Sequence, residues 1–311
     1  PKALADIQPD AVQGAKRFIR RQALGTVFTI APWNYPLLTT VNSLIPALMA
    51  GNTVLLKPSA QTPLCGEVFV KAFTAAGLPK DVLQCLFLSH DDTTKIIESG
   101  QVDFVCFTGS VEGGQRVEKA AAGTFLGLGL ELGGKDPAYV RSDADLEYTV
   151  EQLVDGAFFN SGQSCCGIER IYVHESHYDN FIKLFVEQVK TYQLGNPLDI
   201  KTTLGPVVRP AAANWVRKQT ADAIAAGATA CIDKSQFALD DGEGAYLAPQ
   251  VLINVDHSMS VMREESFGPV VGIMKVTGDA EALTLMNDSD LGLTASVWTK
   301  DLETAESLGN Q

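Results

Sequence analysis

Short apolar, β-branched runs alternate with longer stretches of helical spacing through the first half of the chain. Residues 24–31 (LGTVFTIA) predict a strand that stops at Pro32, and 37–50 a mostly apolar helix in which Pro46 argues for a break or an early end. A second strand is predicted over 53–56, ended by Lys57-Pro58. Residues 63–76 predict a helix closed by Gly77 and then Pro79. A third strand (82–88), a short helix (93–99), a fourth strand (102–107) and a helix over 111–122 follow. Strands separated by helices of this length imply crossover connections, a mainly parallel sheet and a doubly wound α/β domain.

A seam falls at Glu131-Leu132-Gly133-Gly134. Beyond it Val150, Leu153, Val154, Ala157 and Phe158 recur at helical spacing and make one apolar face. Ile168–His174 predicts a strand, and Ser176 with Asp179 a capping box opening a helix over 178–190. Residues 211–226 predict a helix ended by Gly227; 251–255, Val270–Val276 and 295–299 predict further strands. The second half is therefore also α/β. Two domains are expected, 1–132 and 133–311, on the usual prior of roughly 100–200 residues each.

Composition narrows the function classes. The chain has 311 residues, of which 46% are hydrophobic and 20% charged, an ordinary globular balance. A net charge of −13 argues against a nucleic-acid partner, which needs a basic surface. No apolar stretch has spanning length and no secretory signal opens the chain, so no membrane partner and a cytoplasmic location are expected. Six cysteines with no C-x-x-C pair are too sparse for a disulfide framework and imply reduced thiols. His174 and His177 straddle a strand end and a helix cap, and no cluster completes a metal site, so no metal is expected.

Four segments carry candidate chemistry. Asn160-Ser161-Gly162-Gln163-Ser164-Cys165-Cys166-Gly167 follows the apolar helix face directly. A cysteine there is either a small buried hydrophobe or, in a turn of Gly and polar residues, a reachable nucleophile. Glu131-Leu132-Gly133-Gly134-Lys135 puts a carboxylate before two glycines, which taken alone reads as a solvated turn. In Pro32-Trp33-Asn34-Tyr35-Pro36 two prolines pin the backbone around an amide suited to donate to an oxyanion. Phe107-Thr108-Gly109-Ser110, with Gly114 beyond, gives strand, turn and helix N-terminus, an anion site for a phosphate, although it is not the usual dinucleotide fingerprint.

Taken in order, PWN, KPS, FTGS, ELGGK, GQxC and EESFGP resemble the aldehyde dehydrogenase superfamily over nearly the whole chain. The resemblance implies a Rossmann-like cofactor domain, an α/β catalytic domain and a small oligomerisation element. The first twenty or so residues would belong to that element, which is incomplete here because both ends fall short of a typical family subunit. It implies oxidation of a small-molecule aldehyde to a carboxylate with NAD or NADP, and a homo-oligomer, dimer or tetramer. By motif, Cys165 resembles the nucleophile, Asn34 the oxyanion donor and Glu131 the general base for the hydrolytic water. Lys57 resembles the residue that holds the adenosine ribose. Ser110, with Gly109 and Gly114, would lie near the pyrophosphate, and Trp33 near the cofactor. Glu265 resembles the residue that bonds the nicotinamide ribose, and Phe267 the one that packs on the nicotinamide. Tyr35 and Phe159 would line an apolar substrate tunnel. One departure stands out: Ala60 occupies the place where the family commonly has a Glu for the adenosine ribose hydroxyls. Losing that carboxylate removes a repulsion against a 2′-phosphate, to which Ser59 is placed to donate, so NADP is expected to be tolerated. Relatives that pass the acyl group to coenzyme A or act on phosphorylated aldehydes are rival readings, as is a non-catalytic member of the fold.

Overall fold

The computed structural model describes residues 2–311, and they form two compact units, divided between Leu132 and Gly133. In the first, β1 (Thr26–Ile30), α1 (Leu38–Met49), β2 (Thr53–Lys57), α2 (Pro63–Ala75), β3 (Leu83–Cys85), α3 (His90–Glu98), β4 (Phe104–Thr108), α4 (Val111–Ala121) and β5 (Gly127–Glu131) follow in order. The five strands are parallel and lie in the order β3-β2-β1-β4-β5. The chain therefore winds outward from β1 to β3, then returns to the other side of β1. That reversal between β1 and β4 is the switch point at which open α/β sheets bind ligands.

Both faces of this sheet are covered, so its strands are near-continuous apolar runs. Phe28 and Ile30 pack with Ile97, Val117 and Ala120 on the side of α3 and α4. Val27 and Val54 pack with Leu44, Ala47 and Phe69 on the side of α1 and α2. Pro46 neither breaks nor shortens α1, which runs through it. The lost hydrogen bond costs about 3 kcal/mol in an isolated helix, and burial of Leu44 and Ala47 on either side offsets it.

The second unit contains β6 (Asp136–Val140), α5 (Leu146–Phe158), β7 (Ile168–His174), α6 (Tyr178–Val189), α7 (Pro210–Ala225), β8 (Thr229–Ala230), β9 (Gln250–Ile253), α8 (Ser260–Arg263), β10 (Val270–Val276), α9 (Asp279–Asn287), β11 (Ser296–Trp298) and α10 (Leu302–Gly309). Its sheet runs β11-β6-β7-β10-β9-β8, parallel throughout except for β8. Alternate residues again face opposite layers: Ile171 and Val173 meet α5 and α6, while Tyr172 meets the α7–α9 side. The capping box does not form. The N-cap of α6 is His177, without a side-chain cap, and the Ser176 hydroxyl bonds His174 Nδ1 at 2.8 Å instead. Ser176 lies one residue before the N-cap, so its hydroxyl is out of place to accept from the first helical amides.

Candidate active site

In the first unit, the residues singled out from the sequence gather at the carboxyl ends of the parallel strands. Trp33, Asn34 and Tyr35 follow β1, Lys57 ends β2 with Ser59 just beyond, Gly109 and Ser110 follow β4, and Glu131 ends β5. Backbone hydrogen bonds tie neighbouring ends together: Ala31 N–H donates to Lys57 O and Gly109 N–H to Glu131 O, each at 3.0 Å. Two side-chain bonds, from Thr39 Oγ1 to Tyr35 O (2.7 Å) and Thr40 Oγ1 to Pro36 O (2.6 Å), fix the turn after Asn34 at the start of α1.

Lys57 is buried, and burial pulls its ammonium below the ordinary range, which favours an anionic or strongly accepting partner. Ser110 is the N-cap of α4, its Oγ accepting from Gly113 N–H at 3.2 Å. A Cβ at Gly109 would meet the Phe107 ring at 2.7 Å, and one at Gly114 would press on Leu132. The backbone here packs closely because both positions are glycine. A helix N-terminus beside an exposed serine, at a switch point, fits a phosphate-bearing nucleotide. Ser59 Oγ accepts from Gln61 N–H at 3.2 Å, which leaves its proton for another acceptor. Glu131 is exposed at its strand end.

In the second unit the gathering is at the opposite strand ends. Gly133-Gly134-Lys135 precede β6, Cys165 precedes β7 and Glu265-Ser266-Phe267 precede β10, and these three strands are adjacent. The cysteine loop is wound tightly, with Asn160, Ser161 and Gly162 at φ of 51°, 58° and 70° in succession. Such a left-handed run is held only by surrounding structure. Gln163 supplies the hold: its Oε1 accepts from Val208 N–H at 2.6 Å, and its Nε2 donates to Asn160 O at 3.0 Å. Ser161 Oγ adds a bond to Gly205 O at 2.7 Å. A Cβ at Gly162 would overlap the carbonyl of Gly268, so this position must be glycine.

Cys165 is half-buried at the end of this loop, whereas Phe159 at its start is exposed. Burial, and then the neighbouring Cys166, push the Cys165 thiol up, so it rests protonated at neutral pH. The two glycines of ELGGK now have a reason. Gly134 N–H donates to Glu265 Oε1 at 3.1 Å, and a Cβ at Gly134 would lie 3.0 Å from the Cys165 carbonyl oxygen. A Cβ at Gly133 would overlap the Glu265 carboxylate itself. Glycine thus lets the strand end pass between Cys165 and Glu265. Burial first, then the charge of Glu169, raise the Glu265 pKa to about 7, against the Gly134 N–H and Lys135. Phe267 has φ of 50°, uncommon for an aromatic residue.

Three features escaped the sequence reading. Lys135 and Glu169 form a buried ion pair, Nζ to Oε2 at 2.5 Å. The Gln163 clamp and the bond from Trp215 Nε1 to Glu265 O (3.0 Å) are the others. Each joins segments far apart in the chain. A cavity of about 440 Å³ in this unit, lined by Tyr139, Arg170, Met286, Leu293 and Leu308, holds neither Cys165 nor Glu265. Among the described residues, no group of three or more His, Cys, Asp or Glu is arranged to hold a metal, and no helix is long and apolar enough to cross a membrane.

The model of the aldehyde dehydrogenase family matches residues 3–311. The chain belongs to that family. Lactaldehyde dehydrogenase of Escherichia coli (strain K12) is 37% identical over 295 residues, 94% of this chain and 61% of that protein. An NADP-dependent glyceraldehyde-3-phosphate dehydrogenase from Bacillus halodurans C-125, solved with NADP, superposes with a TM-score of 0.90 at 35% identity, covering 98% of this chain and 63% of that one. Betaine aldehyde dehydrogenase from Staphylococcus aureus, solved with NAD⁺, gives a TM-score of 0.86 at 35% identity over 93% of this chain and 57% of that one. The chain thus spans about three fifths of the length of these aldehyde dehydrogenases.

Proposed function

We propose that this aldehyde dehydrogenase oxidises an aldehyde to a carboxylate through a thioester on Cys165. The observation that carries the reading is the built cysteine loop, whose left-handed turn is clamped by Gln163 and whose Cys165 lies across Gly134 from Glu265. A purely structural cysteine needs no such loop.

Residues 1–132 serve as the cofactor domain, the first twenty or so belonging to the oligomerisation element, and 133–311 as the catalytic domain. Lys57 would bond the adenosine ribose, Ser110 with Gly109 and Gly114 would cradle the pyrophosphate, and Trp33 would pack nearby. Glu265 would bond the nicotinamide ribose and Phe267 would pack on the nicotinamide ring. NAD⁺ or NADP⁺, when bound, accepts the hydride that the reaction removes. With Ala60 in place of a carboxylate and Ser59 free to donate, NADP⁺ is accepted alongside NAD⁺; relatives of both kinds are known among the solved structures.

Cys165 first gives up its proton to solvent water, and the thiolate sulfur adds to the aldehyde carbon. Asn34, with the backbone N–H of Cys165, donates to the oxygen that becomes negative; one such donor is typically worth about 2.7–4 kcal/mol. Loss of hydride from that adduct restores the C=O bond and leaves the thioester. Glu131 takes a proton from water, which adds to the acyl carbon and expels the sulfur, releasing the carboxylate. A base of this kind contributes about 10²–10⁴ in rate. Glu131 favours water over coenzyme A as acceptor, since water, the weaker nucleophile, requires a base. Tyr35 and Phe159 line the substrate path, which suits an apolar aldehyde. The enzyme works in the cytoplasm as a homo-oligomer, dimer or tetramer.

The test is a panel of aldehydes with NAD⁺ or NADP⁺, followed at 340 nm beside Cys165→Ser. Reduced cofactor formed by the parent alone supports the reading and ranks the cofactors. Equal rates in parent and variant would sink it.

A further inference from the structure

We propose that the buried Lys135–Glu169 pair is a positioning device that holds the 265–268 turn in the conformation presenting Glu265 and Phe267 to the nicotinamide half of the cofactor. The assignment rests on the reaction proposed above and adds two residues to it.

Two charges taken out of water are an expensive way to fill a core, and well-packed apolar side chains of similar volume usually serve stability as well. Lys135 is fully buried and Glu169 is 5% exposed. What the pair supplies is hydrogen bonding with direction. Glu169 Oε2 accepts from Ser266 N–H at 2.8 Å, and its Oε1 accepts from Phe267 N–H at 2.9 Å. Lys135 Nζ donates to Glu169 Oε2 and, at 3.1 Å, to Ser266 Oγ. One carboxylate thus captures two consecutive amides, and its counter-ion captures the hydroxyl between them.

The turn needs that hold. Phe267 has φ of 50°, a conformation that is strained for a non-glycine residue and reverts unless it is over-determined. Its neighbours are tied as well, with Glu265 Oε1 accepting from Gly134 N–H and Glu265 O from Trp215 Nε1. Gly268 closes the set, because its carbonyl lies where a side chain on Gly162 would be. The pair therefore fixes the two residues assigned to the nicotinamide end and, through Gly268, one wall of the cysteine loop.

Two variants separate positioning from stability. Glu169→Gln keeps the shape but exchanges one accepting oxygen for a donor, leaving an amide of the turn unpaired. Lys135→Met with Glu169→Leu removes both charges and fills the space. The readout is calorimetric affinity for NAD⁺ and for ADP-ribose, which lacks the nicotinamide. In both variants NAD⁺ is expected to weaken by about tenfold or more while ADP-ribose changes by less than about twofold. The apolar pair is expected to melt close to the parent, so it carries the test should Glu169→Gln fold poorly. An unchanged NAD⁺ to ADP-ribose ratio, or equal weakening of both ligands, overturns the positioning role. So does an apolar pair that cannot fold, because the charges would then serve the fold itself. A parent that binds neither NAD⁺ nor NADP⁺ defeats the proposed reaction and this role together, whereas a parent that binds NAD⁺ with variants of unchanged ratio defeats this role alone.

Discussion

Glu265 makes a prediction that needs no turnover. Its carboxyl is largely buried beside Glu169, and those two influences raise its pKa to about 7 against the Gly134 N–H and Lys135. In an unfolded chain a glutamate titrates near 4.3. The folded protein therefore holds this proton more tightly than the unfolded chain does. Below both values the group is neutral in either state and no penalty exists. As pH rises from about 4 to about 7 the unfolded chain releases the proton first, so stability falls. Above about 7 the full cost of a buried carboxylate is present, on the order of 3 kcal/mol. Glu265→Gln is neutral at every pH and keeps an oxygen for the Gly134 N–H. It is expected to be more stable than the parent by about 1 kcal/mol at pH 5 and by about 3 kcal/mol at pH 8. With roughly 2–4 °C of melting temperature per kcal/mol for a unit of this size, its advantage should widen by about 5 °C between the two pH values. Scanning calorimetry of both proteins at pH 5, 6.5 and 8 measures it. An advantage that stays constant with pH, or a variant less stable at pH 8, would refute the reasoning.

Three further outcomes are expected. Asn34→Ala should lower kcat by about 10²–10³ while the Kd for NAD⁺, read by calorimetry, stays unchanged; a loss confined to KM would remove Asn34 from the oxyanion role. Gly162→Ala, forced to φ of 70° against the fixed Gly268 carbonyl, should cost about 1–3 kcal/mol in urea unfolding, and a neutral effect would mean that the cysteine loop is looser than described. Alkylation of Cys165 in cofactor-free protein, followed by peptide mass spectrometry, should rise with pH to a midpoint above the ordinary thiol value of about 8.5; a midpoint below about 7 would show a resting thiolate instead.

Four strands of the first unit's sheet are legible as apolar runs, and its helices carry their own stop signals; β5 (GLGLE) is not, since its glycines mask the apolar run and its place comes from pairing with β4. β7 and β10 are read for the same reason. β6 is not, since DPAYV opens with an acid and a proline that suggest a turn, yet all five residues are buried. What makes it a strand is pairing with β7 and β11, a long-range fact. α9 and α10 were likewise missed, being short and mixed in polarity. Within the site, the motif residues are legible by their order along the chain, but the interactions that hold them are not. Lys135 and Glu169 are 34 positions apart, and Glu169 and Phe267 are 98 apart. Only the adjacency of β6, β7 and β10 brings them to one place. The two glycines of ELGGK illustrate the difference, since their reason lies in Glu265 and in the carbonyl of Cys165.

The central claim is an acyl group carried on Cys165, and Glu131→Gln is the protein in which to find it. Without the base, hydrolysis should slow by about 10²–10⁴ while acylation proceeds. The variant, mixed with an accepted aldehyde and NAD⁺ and quenched in acid, should release about one equivalent of reduced cofactor per chain in a burst. Its peptides should carry the acyl mass on Cys165 alone. Sustained turnover with no acyl group on the Cys165 peptide, or acylation at another side chain, would contradict the account.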